Sequence, residues 1–258
     1  MLDIIRYDLA RMRKMKCFRV IPIIMLVIIA FEDWVVRSGG SLFDVETGVD
    51  PAADFEALSV ELFLGLFLAI FTVLFVNADI SSGFIKTIGG QVKRRSRLIC
   101  SKFISLAIFE LFFMAVAFVG LWIFGLLFIE DVKVESWSSF FPSFGIHFLM
   151  NYSLMCFCAA VTVISRSNML GMIISILTTT QFFDLFLILI ERLIRSQFDK
   201  EVDLRQYLVT TCLVKAEYYA PFIAGESVSI VKPIVICCVT AVIAIAVSVF
   251  SFEKRDIV

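Results

Sequence analysis

The chain has 258 residues, of which 60% are hydrophobic and 28 are Phe, with a mean hydropathy of +0.95 and a formal net charge of −1. That content exceeds what a soluble domain buries and places the chain in the membrane class; the small net charge hides a segregation of charge along the chain, and no nucleic acid is expected as a partner. Seven Cys, an odd number lying mostly in apolar runs, exclude a disulfide framework.

At the N-terminus Leu2, Ile5, Leu9 and Met12 share one helical face, with Arg6, Arg11, Arg13 and Lys14 elsewhere around the wheel. The pattern predicts an amphipathic helix lying along a membrane surface. No small-residue cleavage site follows, so the segment reads as retained rather than as a signal peptide. A first span is predicted over about 18–36, with Trp34 as an interfacial anchor. Residues 37–56 form an acidic polar loop. The second span, 58–76, carries Phe63, Phe67, Phe71 and Phe75 at four-residue spacing, which puts them on one helix face. Such a stripe serves packing or lipid contact; the sharper alternative is an apolar pathway for a cargo.

Residues 77–102 are polar, glycine-bearing and basic, with Lys86, Lys93, Arg94, Arg95, Arg97 and Lys102 against Asp79. Ile80, Phe84, Ile85 and Ile88 recur at helical spacing, so a short interfacial helix is predicted there, ended by Gly89-Gly90. The third span, 103–129, holds Glu110 about two turns in. A short outer loop follows with the interface-suited aromatics Trp137, Phe140 and Phe141. The fourth span is 144–164, Ser165 to Asn168 turn, and the fifth span is 169–190, containing Thr178-Thr179-Thr180-Gln181 and Asp184. Residues 191–229 read as amphipathic helix on the outer leaflet, with Asp203 as a cap. The sixth span is 231–250, followed by a basic tail.

Charge sets the orientation. Arg6, Arg11, Arg13, Lys14, Lys16, Arg19, the six bases of 77–102, Arg166, Lys254 and Arg255 all fall on one side, and the acidic loop 37–56 falls on the other. Flanking Lys and Arg resist translocation, so both termini are expected in the cytoplasm of a multi-pass cell-membrane protein. The whole chain forms one all-α domain of six spans with no separate soluble part.

Carboxylates in lipid are costly and by default face protein or water. Asp184 is therefore assigned to a pathway or interface. Glu110 is assigned either to the pathway or to a snorkelling position at the inner interface. His147, one turn before Asn151, suits a structural hydrogen bond. The Thr178–Gln181 run suits helix-to-helix contact first and substrate contact second. No metal-ligand cluster and no phosphate-binding Gly-x-x-x-x-Gly-Lys loop occurs, so neither a metal nor a cofactor is assigned to this chain.

Two segments together resemble a known family. Asp79-x-x-x-Gly83-x-x-Lys86, a basic patch, and Ser96-Arg97-x-x-x-Ser101-Lys102 leading into a span are similar to the coupling region of ABC-2-type transporter permeases. Phe252-Glu253-Lys254-Arg255-Asp256-Ile257 resembles the short tail that closes many such subunits. The family usually has Glu at the position of Asp79 and a small residue at that of Phe84. The resemblance implies the ABC-2 exporter fold, re-entrant helices before the last span, and pairing with a second permease chain, identical or related. It also implies a separate cytoplasmic ATPase that holds ATP and Mg and docks on Asp79, Gly83, Ile85, Lys86, Arg94, Arg95, Arg97 and Lys102. Small single-domain permeases of this kind export amphipathic peptides of the toxin or antimicrobial type. On that reading Phe63, Phe67, Phe71, Glu110, Gln181 and Asp184 are the expected pathway residues. Efflux of drugs or other small hydrophobic molecules is the alternative cargo class, and a non-transporting assembly or signalling subunit is the alternative role. An intramembrane hydrolase lacks its residues here, since one His and no Ser/His constellation are present.

Overall fold

The structure, a computed structural model, describes residues 2–39, 62–81, 96–128, 137–180, 182–198, 208–209 and 231–254. Its elements are the helices α1 (Leu2–Lys14), α2 (Lys16–Gly39), α3 (Leu62–Ser81), α4 (Ser96–Phe128), α5 (Trp137–Ser165), α6 (Asn168–Thr179), α7 (Phe182–Phe198) and α8 (Val231–Lys254). Three are long and apolar enough to cross a membrane: α4 over Ser96–Leu127, α5 over Phe140–Ser165, and α8. The apolar stretches of α3, Leu64–Ala78, and of α6 are shorter.

The amphipathic reading of α1 holds in three dimensions. Met12 is buried and Ile5 and Leu9 are half-buried, while Arg6, Arg13 and Lys14 are exposed. The chain turns at Met15, whose N–H donates to the Arg11 and Met12 carbonyls at 3.2 and 3.1 Å. In α2, Ile21, Met25 and Ile29 face inward, and Val20, Ile23, Ile24, Val27 and Phe31 face out. Large exposed aliphatics likewise run along α4, α6, α7 and α8, as expected of a bundle whose solvent is lipid.

Because lipid tails are as apolar as Leu, burial of such side chains contributes little drive between helices, and tight packing has to supply it. The centre of the bundle is a run of phenyl rings. Phe71 of α3 stacks on Phe109 of α4 with centroids 3.6 Å apart, and Phe75, Phe113 and Phe18 extend the stack at 5.7–5.9 Å. Close backbone approach does the rest. A methyl group on Gly171 of α6 would stand 3.0 Å from Thr162 Oγ1 of α5 and 3.1 Å from Val73 of α3. The small residues Cys237, Ala241, Ala244 and Ser248 of α8 are buried and α8 packs on α5, where Ser153 Oγ donates to the Cys237 carbonyl at 2.9 Å. At one end Phe118, Trp122, Trp137 and Phe140 form an aromatic cluster, with Phe118 and Phe140 at 4.6 Å and the two Trp rings at 6.0 Å.

Several boundaries differ from the sequence expectation, and the helix of the second span runs on to Ser81 rather than ending at 76. The third apolar helix begins at Ser96 rather than 103, so the last turns of the predicted coupling segment are helical and continuous with the span. At 33 residues it reaches about 50 Å, more than a hydrocarbon core of roughly 30 Å, so it tilts or protrudes. The fourth begins at Trp137 and takes in the aromatics predicted as loop; Pro142 lies in its second turn, where only one backbone bond is lost. The fifth span is not continuous. α6 ends at Thr179, Thr180 forms a turn, and α7 begins at Phe182. Thr178, Thr179 and Thr180 donate their hydroxyls to the Ile174, Ser175 and Ile176 carbonyls at 2.7, 3.0 and 2.9 Å. Back-bonding of this kind competes with the helical ladder and bends helices. The threonine run thus bonds to its own helix, not to a neighbouring one.

Candidate functional site

The basic end of the bundle contains the first candidate. Lys102 in the second turn of α4 has its ammonium on Asp8 Oδ1 of α1, and Ser101 Oγ donates to Asp8 Oδ2 at 2.7 Å. The same ammonium lies 4.4 Å from the centre of the Phe75 ring of α3. Three helices therefore meet on one ion pair. Its side chains are only 11% and 3% exposed, which makes it a buried pair rather than a surface one. Of the residues assigned to coupling, Lys102 is thus turned into the fold. Arg97 is exposed in the first turn of α4. Asp79 lies in the last turn of α3, and Gly83, Ile85, Lys86, Arg94 and Arg95 lie outside the described residues.

The pathway residues separate. Phe71 is fully buried in the ring stack and Phe67 packs at its margin, so these two rings face protein. Phe63 opens α3 and Asp184 lies in the first turn of α7, while Gln181 is outside the described residues. Glu110 is completely buried, so it does not snorkel to the surface of the bundle. Its carboxyl faces α5 near Tyr152 and Cys156. Among the described residues neither of its oxygens has a hydrogen-bond partner, and Asn151 of α5 is buried in the same state. The Tyr152 hydroxyl is engaged elsewhere, donating to the Phe103 carbonyl at 3.2 Å.

A buried, unbonded carboxyl costs stability that an apolar side chain of similar length would not. Glu110→Met is therefore expected to stabilise the bundle by about 1–3 kcal/mol in detergent unfolding. A loss of stability would show that Glu110 holds α4 to α5.

The second candidate is a cavity of about 360 Å³ at the break between α6 and α7. Leu154 and Phe157 of α5, Thr178, Phe183, Phe186, Leu187 and Thr240 of α8 form most of its wall, with Leu208 and Val209. Thr178 and Thr240 add no free hydrogen to it, since their hydroxyls donate to Ile174 and Ile236 carbonyls at 2.7 and 2.8 Å. The wall is in effect apolar. Phe183 and Phe186 remain 38% and 57% exposed, so the cavity is open on the side of α7. Phe183 and Phe186 were visible in the sequence as aromatics beside Asp184. Leu154, Phe157, Leu187 and Thr240 were not, because only packing distinguishes them from other span residues. The same holds for Asp8 and Ser101 at the ion pair. Among the described residues, no cluster of His, Cys, Asp and Glu is placed to hold a metal.

A family model for proteins of unknown function, DUF2705, matches residues 20–258. This chain belongs to the DUF2705 family. The matched part of the DUF2705 chain contains the whole cavity and the Ser101–Lys102 side of the ion pair, while Asp8 precedes it. No curated protein matches this DUF2705 chain.

Proposed function

We propose that this DUF2705 protein is the permease subunit of an ATP-driven ABC-2-type exporter that moves amphipathic peptides out of the cell or its membrane. The observation that carries the reading is the apolar cavity at the break of α6 and α7, open on the side of α7, which suits the apolar face of a peptide arriving through the bilayer. The sequence resemblance at 77–102 and at Phe252–Ile257 supports a cytoplasmic ATPase as partner, carrying ATP and Mg, and a second permease chain. On this reading α2, α3 and the α6–α7 pair supply three more crossings beside α4, α5 and α8, with both termini in the cytoplasm of a multi-pass cell-membrane protein. Motion of the ATPase pair against the basic segment then shifts the packing of two half-bundles, a two-state change.

A second reading, efflux of small hydrophobic molecules, is favoured by one observation. The cavity has the volume of a small-molecule site and lacks polar groups to orient a peptide backbone.

The test uses the permease reconstituted with the ATPase that copurifies with it. Amphipathic peptides should stimulate ATP hydrolysis, and plain polar peptides should not. Thr178→Phe, which fills the cavity, should weaken the peptide response about tenfold, a loss of roughly 1.4 kcal/mol of binding, with ATPase association unchanged. Stimulation by small hydrophobic compounds but not peptides would select the second reading. A full peptide response in Thr178→Phe would overturn both.

A further inference from the structure

The ion pair of Asp8 has an effect on the outside of α1. In the sequence α1 mixes signs, with Asp3 and Asp8 among Arg6, Arg11, Arg13 and Lys14. In the fold Asp8 is withdrawn inward and neutralised by Lys102. What remains exposed across α1 and the first turn of α2 is Arg6, Arg13, Lys14, Lys16 and Arg19, with Asp3 as the one acid. None of these five bases forms an ion pair with the described residues.

The position of this face is fixed by its neighbours. Directly after Arg19 the outward surface of α2 becomes apolar, with Val20, Ile23, Ile24 and Val27 exposed by 41–62%. That change from cation to aliphatic within one residue marks the edge of the hydrocarbon layer, where phosphate groups lie. The face is also half-apolar in body: Tyr7 is 46% exposed beside Arg6, and it is a residue type that favours the headgroup level. A cluster of exposed bases on an interfacial helix is the charge complement of anionic lipid.

We propose that α1 and the start of α2 form a docking surface for anionic phospholipid headgroups, selecting phosphatidylglycerol-type lipids over zwitterionic ones. The proposal is independent of the transport reading, since it rests on the bases of Arg6–Arg19 and not on the cavity. Asp8–Lys102 is part of the device: it keeps the one competing carboxylate of the middle of α1 off the surface.

The test is electron paramagnetic resonance on the full chain reconstituted in phosphatidylcholine, with trace spin-labelled phosphatidylglycerol or phosphatidylcholine. At low salt the labelled anionic lipid should be held at the protein roughly threefold more strongly. The preference should fall towards parity at about 1 M salt, where screening acts over about 3 Å. Arg13→Gln with Lys14→Gln should lower it, while Arg192→Gln, an exposed base on α7, should leave it unchanged. Equal retention of the two lipids at low salt would overturn the proposal and leave this face to an acidic protein surface. A preference that survives high salt, or that drops equally with Arg192→Gln, would overturn it as well. The salt titration needs only the unaltered chain, so the outcome does not depend on how the variants fold.

Discussion

Asp8→Ala is expected to destabilise the bundle by about 3–5 kcal/mol, the cost of leaving one charge of a buried pair uncompensated. Lys102 would keep its ammonium against Phe75 and inside the packing of α1, α3 and α4, while Ser101 Oγ would keep the Leu98 carbonyl as acceptor at 2.9 Å. The double variant Asp8→Leu, Lys102→Met removes both charges and keeps the volume. It should be neutral or more stable than the unaltered chain by about 1–4 kcal/mol, because neither group then has to leave water. The contrast between single and double variants in detergent unfolding is the diagnostic. A single variant within about 1 kcal/mol of the unaltered chain would mean that the pair behaves as a surface one.

Phe109→Ala should be comparably damaging. The ring is fully buried and touches the stack on three sides, with Phe71 at 3.6 Å and Phe18 and Phe113 each at 5.7 Å. Phe→Ala in a packed core costs about 3–5 kcal/mol. In lipid the transfer part shrinks and the lost contacts remain, so the lower end, about 3 kcal/mol, is expected. Phe112, one turn away on the same helix, is 41% exposed and stacks on Phe18 at 5.3 Å; with less of its ring covered it serves as the comparison, and its truncation should cost about 1 kcal/mol. Equal effects at 109 and 112 would show that the stack is not the core of the bundle.

Much of the architecture was legible from composition and period. Runs of apolar residues predicted α4, α5 and α8, and the face shared by Ile5, Leu9 and Met12 predicted α1, because helix formation in lipid follows from satisfying the backbone locally. Orientation of faces was less legible. Phe67, Phe71 and Phe75 share a side of α3, yet their spacing is the same whether that side meets lipid, cargo or α4. The choice is made by Phe109, which lies on another helix. Glu110 had the same ambiguity, and only the approach of α5 makes it fully buried. Asp8 and Lys102 are 94 positions apart, so no local pattern could join them. The Thr178–Thr180 run was seen but assigned outward bonds, since a hydroxyl can reach either its own carbonyls or a neighbour's, and sequence does not say which.

The break after α6 gives the bundle a lever arm. α6 has 12 residues and reaches about 18 Å, a little over half of a hydrocarbon core of roughly 30 Å. The Thr178, Thr179 and Thr180 hydroxyls add bonds to the Ile174, Ser175 and Ile176 carbonyls just before this end, and the Ile176 carbonyl also accepts the Thr180 N–H at 2.9 Å. Among the described residues these hydroxyl bonds stay within α6, so a change of angle beyond Thr180 leaves them intact. α7 extends 17 residues beyond it, about 25 Å, so a swing of about 10° moves the far end by about 4 Å. Phe183 and Phe186 sit close to the pivot and would travel less than the tip carrying Arg192 and Arg195. A small rotation thus displaces the charges at the tip of α7 by several times as much as the aromatic wall of the cavity.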